Sequence, residues 1–111
     1  MPALASKNCN ELPANTAAIN THAIDVYLKE LDGLWQLQPD NSSIKRRFSF
    51  NNFHQTMAFV NAAADIAHQQ DHHPEMQIGY NYCSVIYTTH SANGLSLKDF
   101  ICAAKINEIS V

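Results

Sequence analysis

Apolar residues recur at helical spacing in three stretches of the chain. The first stretch predicts a helix that begins at Asn15 or Thr16, either of which can cap it, and runs to about Leu31, before Gly33. Its buried side would consist of Ile19, Ala23, Val26, Tyr27 and Leu31. This pattern is typical of an amphipathic helix packed on a core.

The longest periodic stretch predicts a second helix over residues 53–71, capped by Asn51 or Asn52. Pro74 would end this helix, because a proline disfavours helical backbone at the preceding residue, His73. The buried side of the helix would consist of Phe53, Met57, Val60, Ala64 and Ala67.

A third helix is predicted at the C-terminal end. Asn93 and Gly94 form a turn signal, and Ser96 is a good N-cap residue. The apolar positions that follow at helical spacing are Leu97, Ile101, Ala104 and Ile106.

Alternating apolar and polar residues predict strands between these helices. Residues 35–37 and a second alternation through Ile44, Phe48 and Phe50 flank a turn signal at 39–41, so they should form a hairpin. Phe48 and Phe50 would fill the core side of the sheet. Arg46 falls on the same side, where we expect it to lie near the sheet edge or to contact an acidic residue. Residues 76–80 and 82–89 predict two more strands.

The element order is therefore α-β-β-α-β-β-α. No long parallel crossover pattern is present, so the sequence predicts an α+β fold with helices packed on one face of a four-stranded antiparallel sheet. Residues 1–14 contain two prolines without hydrophobic periodicity and are interpreted as a flexible N-terminal lead-in. Residues 15–111 are predicted to form a single domain, since the chain of 111 residues is too short for two.

Charge and cysteine content narrow the functional class. The net charge of -3 gives no electrostatic reason to expect direct binding to nucleic acid. The short basic run 45–47 fits the exposed side of a strand. Three widely spaced cysteines fit neither a disulfide framework nor a paired zinc motif, which favours a reducing compartment. The chain lacks a signal-peptide pattern and a long apolar run, so we expect a cytoplasmic protein without a membrane segment.

The candidate chemistry lies in the run from His68 to Pro74. His68 and His72 would share one side of the second helix, whereas His73 should point in a different direction. Histidine is the side chain whose ordinary pKa lies between pH 5 and 8, so the cluster indicates proton transfer or metal binding. A metal site from His68, His72 and His90 is the less favoured alternative, because the chain lacks the HExxH arrangement.

The complete pattern of His68, His72-His73-Pro74, Tyr80, His90 and Asp99 resembles the signature of the pterin-4a-carbinolamine dehydratases, also known as dimerisation cofactors of a homeodomain transcription factor. The resemblance extends upstream through Trp35 and Phe48 and covers about residues 13–106. Two positions depart from the usual pattern, which often has glutamate in place of His68 and an aromatic residue in place of Met76.

The resemblance implies the same fold and a homodimer or homotetramer. It also implies 4a-hydroxytetrahydrobiopterin dehydratase activity, in which histidine acid and base groups convert a 4a-hydroxytetrahydropterin to a quinonoid dihydropterin. His72, His73 and His90 are then the catalytic candidates. The substrate-binding candidates are His68, Asp99, Pro74 and Met76. Asp99 could orient a histidine, although stabilisation of the helix start explains an aspartate there as well.

No cofactor or metal is expected, because the pterin is itself the substrate. The implied role is the recycling of the pterin cofactor of aromatic amino-acid hydroxylases, which makes those enzymes partners in a pathway. An alternative role from the same resemblance is a dimerisation or coactivator module that binds another protein.

Overall fold

The computed structural model describes residues 4–13 and 15–111. The helices are α1 (Thr21–Glu30), α2 (Phe53–Gln70) and α3 (Leu97–Asn107), and the strands are β1 (Gln36–Leu37), β2 (Ile44–Ser49), β3 (Glu75–Ile78) and β4 (Tyr82–Tyr87). Short 3₁₀ turns occur at Leu4–Ser6, Cys9–Glu11 and His90–Ala92. In these residues, no helix combines the length and apolar character needed to span a membrane.

The four strands form one antiparallel sheet in the order β1-β2-β4-β3. This confirms the predicted α+β fold, and the hairpin of β1 and β2 lies where the alternation predicted it. Strand β4 occupies a central position, and most of its side chains are buried, including those of Cys83, Val85 and Tyr87. The core continues from β4 into α2 and α3, which lie against the sheet.

Helix α1 begins later than the sequence predicts. Asn20 is its N-cap and accepts a hydrogen bond from the backbone N–H of Ala23, whereas Asn15 and Thr16 lie outside the helix. The N–H of Ile19 instead donates to the carbonyl of Leu95 at 2.9 Å. This bond to a distant residue holds the preceding backbone outside the helix, and a sequence pattern cannot show it.

The buried side of α1 also differs from the prediction. Ile24 is its buried residue, at 5 % exposure, whereas Val26 is 42 % exposed. Tyr27 and Leu28 also pack partly on the core, so the buried side of α1 includes Ile24 and Leu28 in place of Val26.

Helix α2 matches the predicted range to within one residue, and Asn52 caps it by accepting from the N–H of Gln55. Its buried side, however, is rotated relative to the prediction. Phe53 is 48 % exposed and Ala64 is also exposed. The residues that are buried are Thr56, Phe59, Val60, Ala63 and Ala67.

The sheet explains this rotation. The Phe59 ring packs against those of Phe48 and Phe50, with centroid distances of 4.4 and 5.2 Å. Aromatic rings at such distances contribute more than their buried area alone. The prediction that Phe48 and Phe50 fill the core side is confirmed, and these two rings select Phe59 as the residue of α2 that faces the sheet.

Arg46 contacts an amide and an aromatic ring, and its described contacts do not include the acidic partner that was one of its two predicted surroundings. Its guanidinium donates to Oδ1 of Asn107 at 2.6 Å and lies 4.2 Å from the centroid of the Phe48 ring. The indole N–H of Trp35 donates to the same Asn107 oxygen. Burial lowers the pKa of Arg46. Asn107, the last residue of α3, therefore joins the helix to β2 and to Trp35, the residue directly before β1.

Residues 4–13 are called the N-terminal segment below. This segment packs on α3, whereas the sequence predicted a flexible lead-in. Leu4 and Cys9 are 4 % and 3 % exposed. The ammonium group of Lys105 donates to the carbonyl of Ala5 at 2.8 Å. Residues 1–3 and 14, which belong to the same predicted lead-in, lie outside the described residues.

Candidate active site

His72 is positioned by the turn that ends α2. The helix stops at Gln70, and Asp71 takes up left-handed backbone with φ of 51°. The N–H of His72 donates back to the carbonyl of Ala67 at 3.1 Å. The prediction that Pro74 ends the helix is therefore wrong, because the chain leaves the helical path at Asp71, a residue type that tolerates this conformation.

The ring of His72 forms a short hydrogen bond with Asp99. Its Nε2 lies 2.6 Å from Oδ1 of that carboxylate. The Asp99 side chain is fully buried, and that of His72 is 12 % exposed. A carboxylate accepts only, so we assign the proton to Nε2 of His72. This leaves Nδ1 as the ring nitrogen available to a ligand.

The second oxygen of the Asp99 carboxylate is also engaged. Oδ2 accepts from the hydroxyl of Thr89 at 2.8 Å and from the N–H of Ser96 at 2.9 Å. Ser96 and Asp99 form a capping box at the start of α3. Helix-start stabilisation and histidine orientation, which the sequence left as alternatives for Asp99, are thus two functions of one carboxylate.

Tyr87 supports the other side of His72. The two rings lie 5.4 Å apart and are inclined by 12°, so they are stacked. The Tyr87 hydroxyl also donates to the carbonyl of His72 at 3.4 Å. Burial raises the pKa of Tyr87, so this residue contributes a neutral surface. Held by a carboxylate and by an aromatic face, the His72 ring has a defined orientation.

His72, His73 and His90 meet at one cavity of about 600 Å³. His73 is exposed, and His90 begins the 3₁₀ turn that follows β4. Thr88 and Thr89, which follow β4, also line the cavity. A volume of this size is within the usual range for small-molecule sites. The structure therefore brings the three predicted catalytic histidines together.

Comparison with known proteins identifies the family. The family model described as Pterin 4 alpha carbinolamine dehydratase matches residues 17–109. The chain belongs to this family. The resemblance inferred from the histidine motif is thereby confirmed.

Relatives of this pterin-4a-carbinolamine dehydratase family align over nearly the whole chain. A protein of Legionella pneumophila (strain Corby) is 50% identical over 108 residues, which cover 97% of this chain and 96% of the relative. A protein of Nitrosomonas eutropha is 46% identical over 108 residues, with 97% and 94% covered. Both carry names that assign pterin-4-alpha-carbinolamine dehydratase activity provisionally.

Two solved structures share the architecture. A transcriptional coactivator/pterin dehydratase from Brucella melitensis is 36% identical with a TM-score of 0.77, and the match covers 81% of this chain and 95% of that one. A pterin dehydratase-like protein identified as a RuBisCO assembly factor in the alpha-carboxysome has a TM-score of 0.59 at 24% identity, over 66% and 84% of the two chains. The second likeness supports the fold alone.

The other predicted site residues do not line this cavity. His68 is exposed on the last turn of α2 and does not line it. Pro74 and Met76 are also absent from its wall; Met76 lies in β3 opposite Val85 and packs partly on the core. Asp99 lies behind His72 and is fully buried.

The ligand set of the metal-site alternative is not assembled. Among residues 4–13 and 15–111, no group of three or more His, Cys, Asp or Glu side chains is arranged to hold a metal ion. Helix α2 ends before His72, so His68 and His72 do not share a helical side as the prediction required.

Several residues that line this cavity were not predicted from the sequence. The cavity is also lined by Cys9, Asn10 and Leu12 of the N-terminal segment, and by Gln70 and Lys98. No local pattern marks the N-terminal residues, because they reach the site only through packing. The Ser96-x-x-Asp99 spacing, by contrast, is a capping-box signal and could have shown that these two residues bond.

Proposed function

We propose that this protein dehydrates 4a-hydroxytetrahydropterins to quinonoid dihydropterins. Family membership supports the reaction class, and the family's reaction requires acid and base groups of the kind found here. The observation that carries the proposal is the bond from Nε2 of His72 to Asp99 at the wall of a cavity also lined by His73 and His90.

The chemistry needs two proton transfers. The 4a-hydroxyl leaves as water after it gains a proton, and a proton is lost from a ring nitrogen of the pterin. One general acid and one general base are sufficient, and each positioned group of this kind typically contributes about 10²–10⁴-fold. Histidine suits both roles because its ordinary pKa lies near neutral pH. The pterin is the substrate, so the reaction as proposed uses no additional cofactor.

Each histidine receives a role from its surroundings. His73, exposed in the cavity wall, protonates the leaving hydroxyl. His72 orients the substrate or accepts the ring proton through Nδ1, since Asp99 occupies its Nε2. His90, which follows β4, holds the substrate from the opposite loop. Asp99 acts on the substrate only through His72, because its own side chain is fully buried.

The direct test uses purified protein and chemically generated 4a-hydroxytetrahydropterin. Stopped-flow absorbance should show loss of the hydroxyl faster than in buffer. A rate equal to the buffer background, with circular dichroism confirming folded protein, would rule out the dehydratase function.

The wider role is proposed from the same family. The dehydration would recycle the pterin cofactor of aromatic amino-acid hydroxylases in the cytoplasm, and the protein would act as a homodimer or homotetramer. Formation of an oligomer would be consistent with the exposed apolar side chains of Phe53, Ile78 and Tyr80, which are 48 %, 46 % and 66 % exposed.

A protein-binding role is the second candidate. The Brucella melitensis structure is named as both a transcriptional coactivator and a pterin dehydratase, so that protein combines the two descriptions on a similar fold. The stacked rings of Phe53 and Tyr80, 6.2 Å apart, offer an apolar contact surface outside the cavity. A folded protein without dehydratase activity would favour this second candidate.

A further inference from the structure

Two cysteines that are distant in sequence lie in contact beside the candidate active site. Cys9 belongs to the N-terminal segment and Cys102 to α3, and their sulfur atoms are 3.7 Å apart. Cys9 is 3 % exposed and Cys102 is 0 % exposed. Both are free thiols. A disulfide requires sulfur atoms about 2.05 Å apart, so a small movement of the N-terminal segment would join them.

The N-terminal segment is held at this place by the end of α2. The N–H of Cys9 donates to the side-chain oxygen of Gln70 at 2.7 Å, and the Gln70 amide donates to Oδ1 of Asn8 at 3.1 Å. Cys9 itself lines the cavity, together with Asn10 and Leu12. A small solute that enters the cavity therefore reaches Cys9 before Cys102.

The surroundings distinguish the two thiols. The hydrogen bond from the Cys102 thiol lowers the pKa of Cys9; burial opposes this, whereas the nearby His72 and Lys98 act in the same direction as the hydrogen bond. The pKa of Cys102 is raised, first by its bond with Cys9 and then by burial. Cys9 is accordingly the thiolate-forming member of the pair, and Cys102 is its partner.

We propose that Cys9 and Cys102 are a reversible oxidation site, at which a hydroperoxide converts the dithiol to a disulfide and tethers the N-terminal segment to α3. This site is separate from the dehydration chemistry, which uses neither sulfur. Disulfides that form in reducing compartments are usually transient and respond to oxidants.

The oxidation balances with hydrogen peroxide as the oxidant. The Cys9 thiolate attacks one peroxide oxygen, the O–O bond breaks, and the departing hydroxide takes a proton to become water. Cys9 is then a sulfenic acid. The Cys102 sulfur loses its proton and attacks the Cys9 sulfur, the S–O bond breaks, and the second hydroxide takes that proton. Two thiols and one peroxide thus yield one disulfide and two waters.

Oxidation of Cys9 also favours the attack by Cys102 that follows it. The largest cause of the raised pKa of Cys102 is its bond with Cys9, and the negative charge of Cys9 acts in the same direction. Conversion of Cys9 to the uncharged sulfenic acid removes that charge. Cys102 can then lose its proton more readily, next to the sulfur that it attacks.

Cys83 provides a matched control within the same chain. It is 0 % exposed, and burial raises its pKa. Its thiol donates to the carbonyl of Ser84 at 3.9 Å. A buried thiol in these surroundings should remain reduced.

Peptide mapping after graded hydrogen peroxide treatment tests the proposal without any pterin, so its outcome is independent of dehydratase activity. Reaction of the unfolded product with a thiol reagent should show a fall from three free thiols to one. The mapped cross-link should join Cys9 to Cys102 and disappear on treatment with dithiothreitol. The oxidised protein should melt about 5 °C or more above the reduced form, because the bond closes a long loop.

The variants separate the pair from general oxidation. Cys83→Ser should form the cross-link at the wild-type rate, whereas Cys9→Ser and Cys102→Ser should form none. If either of the latter fails to fold, the wild-type peptide map still decides. Persistence of all three thiols, oxidation of Cys9 without a bond to Cys102, or a cross-link that involves Cys83 would each overturn the proposal.

Discussion

Nε2 of His72 lies 2.6 Å from Oδ1 of Asp99, although the two residues are 27 positions apart in sequence. The contact links the turn after α2 to the first turn of α3. Because the same carboxylate caps α3 through Ser96, the orientation of the histidine depends on the start of a helix. Catalysis and helix stability are therefore expected to respond together when Asp99 is changed.

Asp99→Asn should lower kcat by at least about tenfold and leave KM little changed, because the amide cannot accept from all three of its present donors. The free energy of unfolding should fall by about 1–3 kcal/mol, the usual cost of a buried polar group without a partner. Steady-state kinetics and urea titration measure the two effects. Thr89→Val, which removes one donor but leaves the bond to His72, is the control and should affect kcat less.

His72→Ala and His73→Ala should each reduce dehydratase activity by at least roughly tenfold. Their double variant should fall by less than the product of the two losses, because groups that act on one substrate as a unit are not additive. His22→Ala and His54→Ala are matched controls, since both residues are exposed and absent from the cavity wall. Full activity in either single variant, with native circular dichroism, would contradict the assignment.

Phe59→Ala should destabilise the protein by about 3–5 kcal/mol, because it removes the ring that packs on Phe48 and Phe50. Phe53→Ala, in the same helix, should cost less than about 1 kcal/mol, since nearly half of its side chain is exposed. Urea unfolding of both variants measures the difference. Equal losses would contradict the rotation of α2 described above.

Asn20→Ala should lower the free energy of unfolding by about 0.5–2 kcal/mol, because the side chain of Asn20 caps α1. Asn15→Ala should change it by no more than about 0.5 kcal/mol, as expected of an exposed residue outside the helix. Thermal and urea unfolding of the two variants distinguish the start of α1 in the structure from the start that the periodicity suggested.

The small size of the chain and its exposed apolar side chains lead us to expect a homodimer or homotetramer. Light scattering on a size-exclusion column measures the mass directly. Tyr80→Ser and Ile78→Ser test whether the apolar side chains near β3 take part, and a strict monomer at micromolar concentration would contradict this prediction.

The sequence by itself determined the features that depend on neighbouring residues. The order of helices and strands follows from hydrophobic periodicity, and the caps at Asn52 and Ser96 are bonds within one helical turn. The histidine motif could be recognised because it consists only of residue types at fixed spacings in the sequence. The family and the catalytic candidates His72, His73 and His90 could therefore be named from the sequence.

Only the tertiary structure decided the features that depend on contacts between distant residues. The backbone bond of Ile19 to Leu95 keeps the residues before Asn20 outside α1. Packing against the aromatic rings of the sheet buries Phe59 of α2, whereas Phe53 stays exposed. His68 does not line the cavity, because its position on the last turn of α2 leaves it exposed elsewhere on the surface. The contact of Cys9 with Cys102 likewise has no local signal, since packing free energy is realised only when the whole chain has folded.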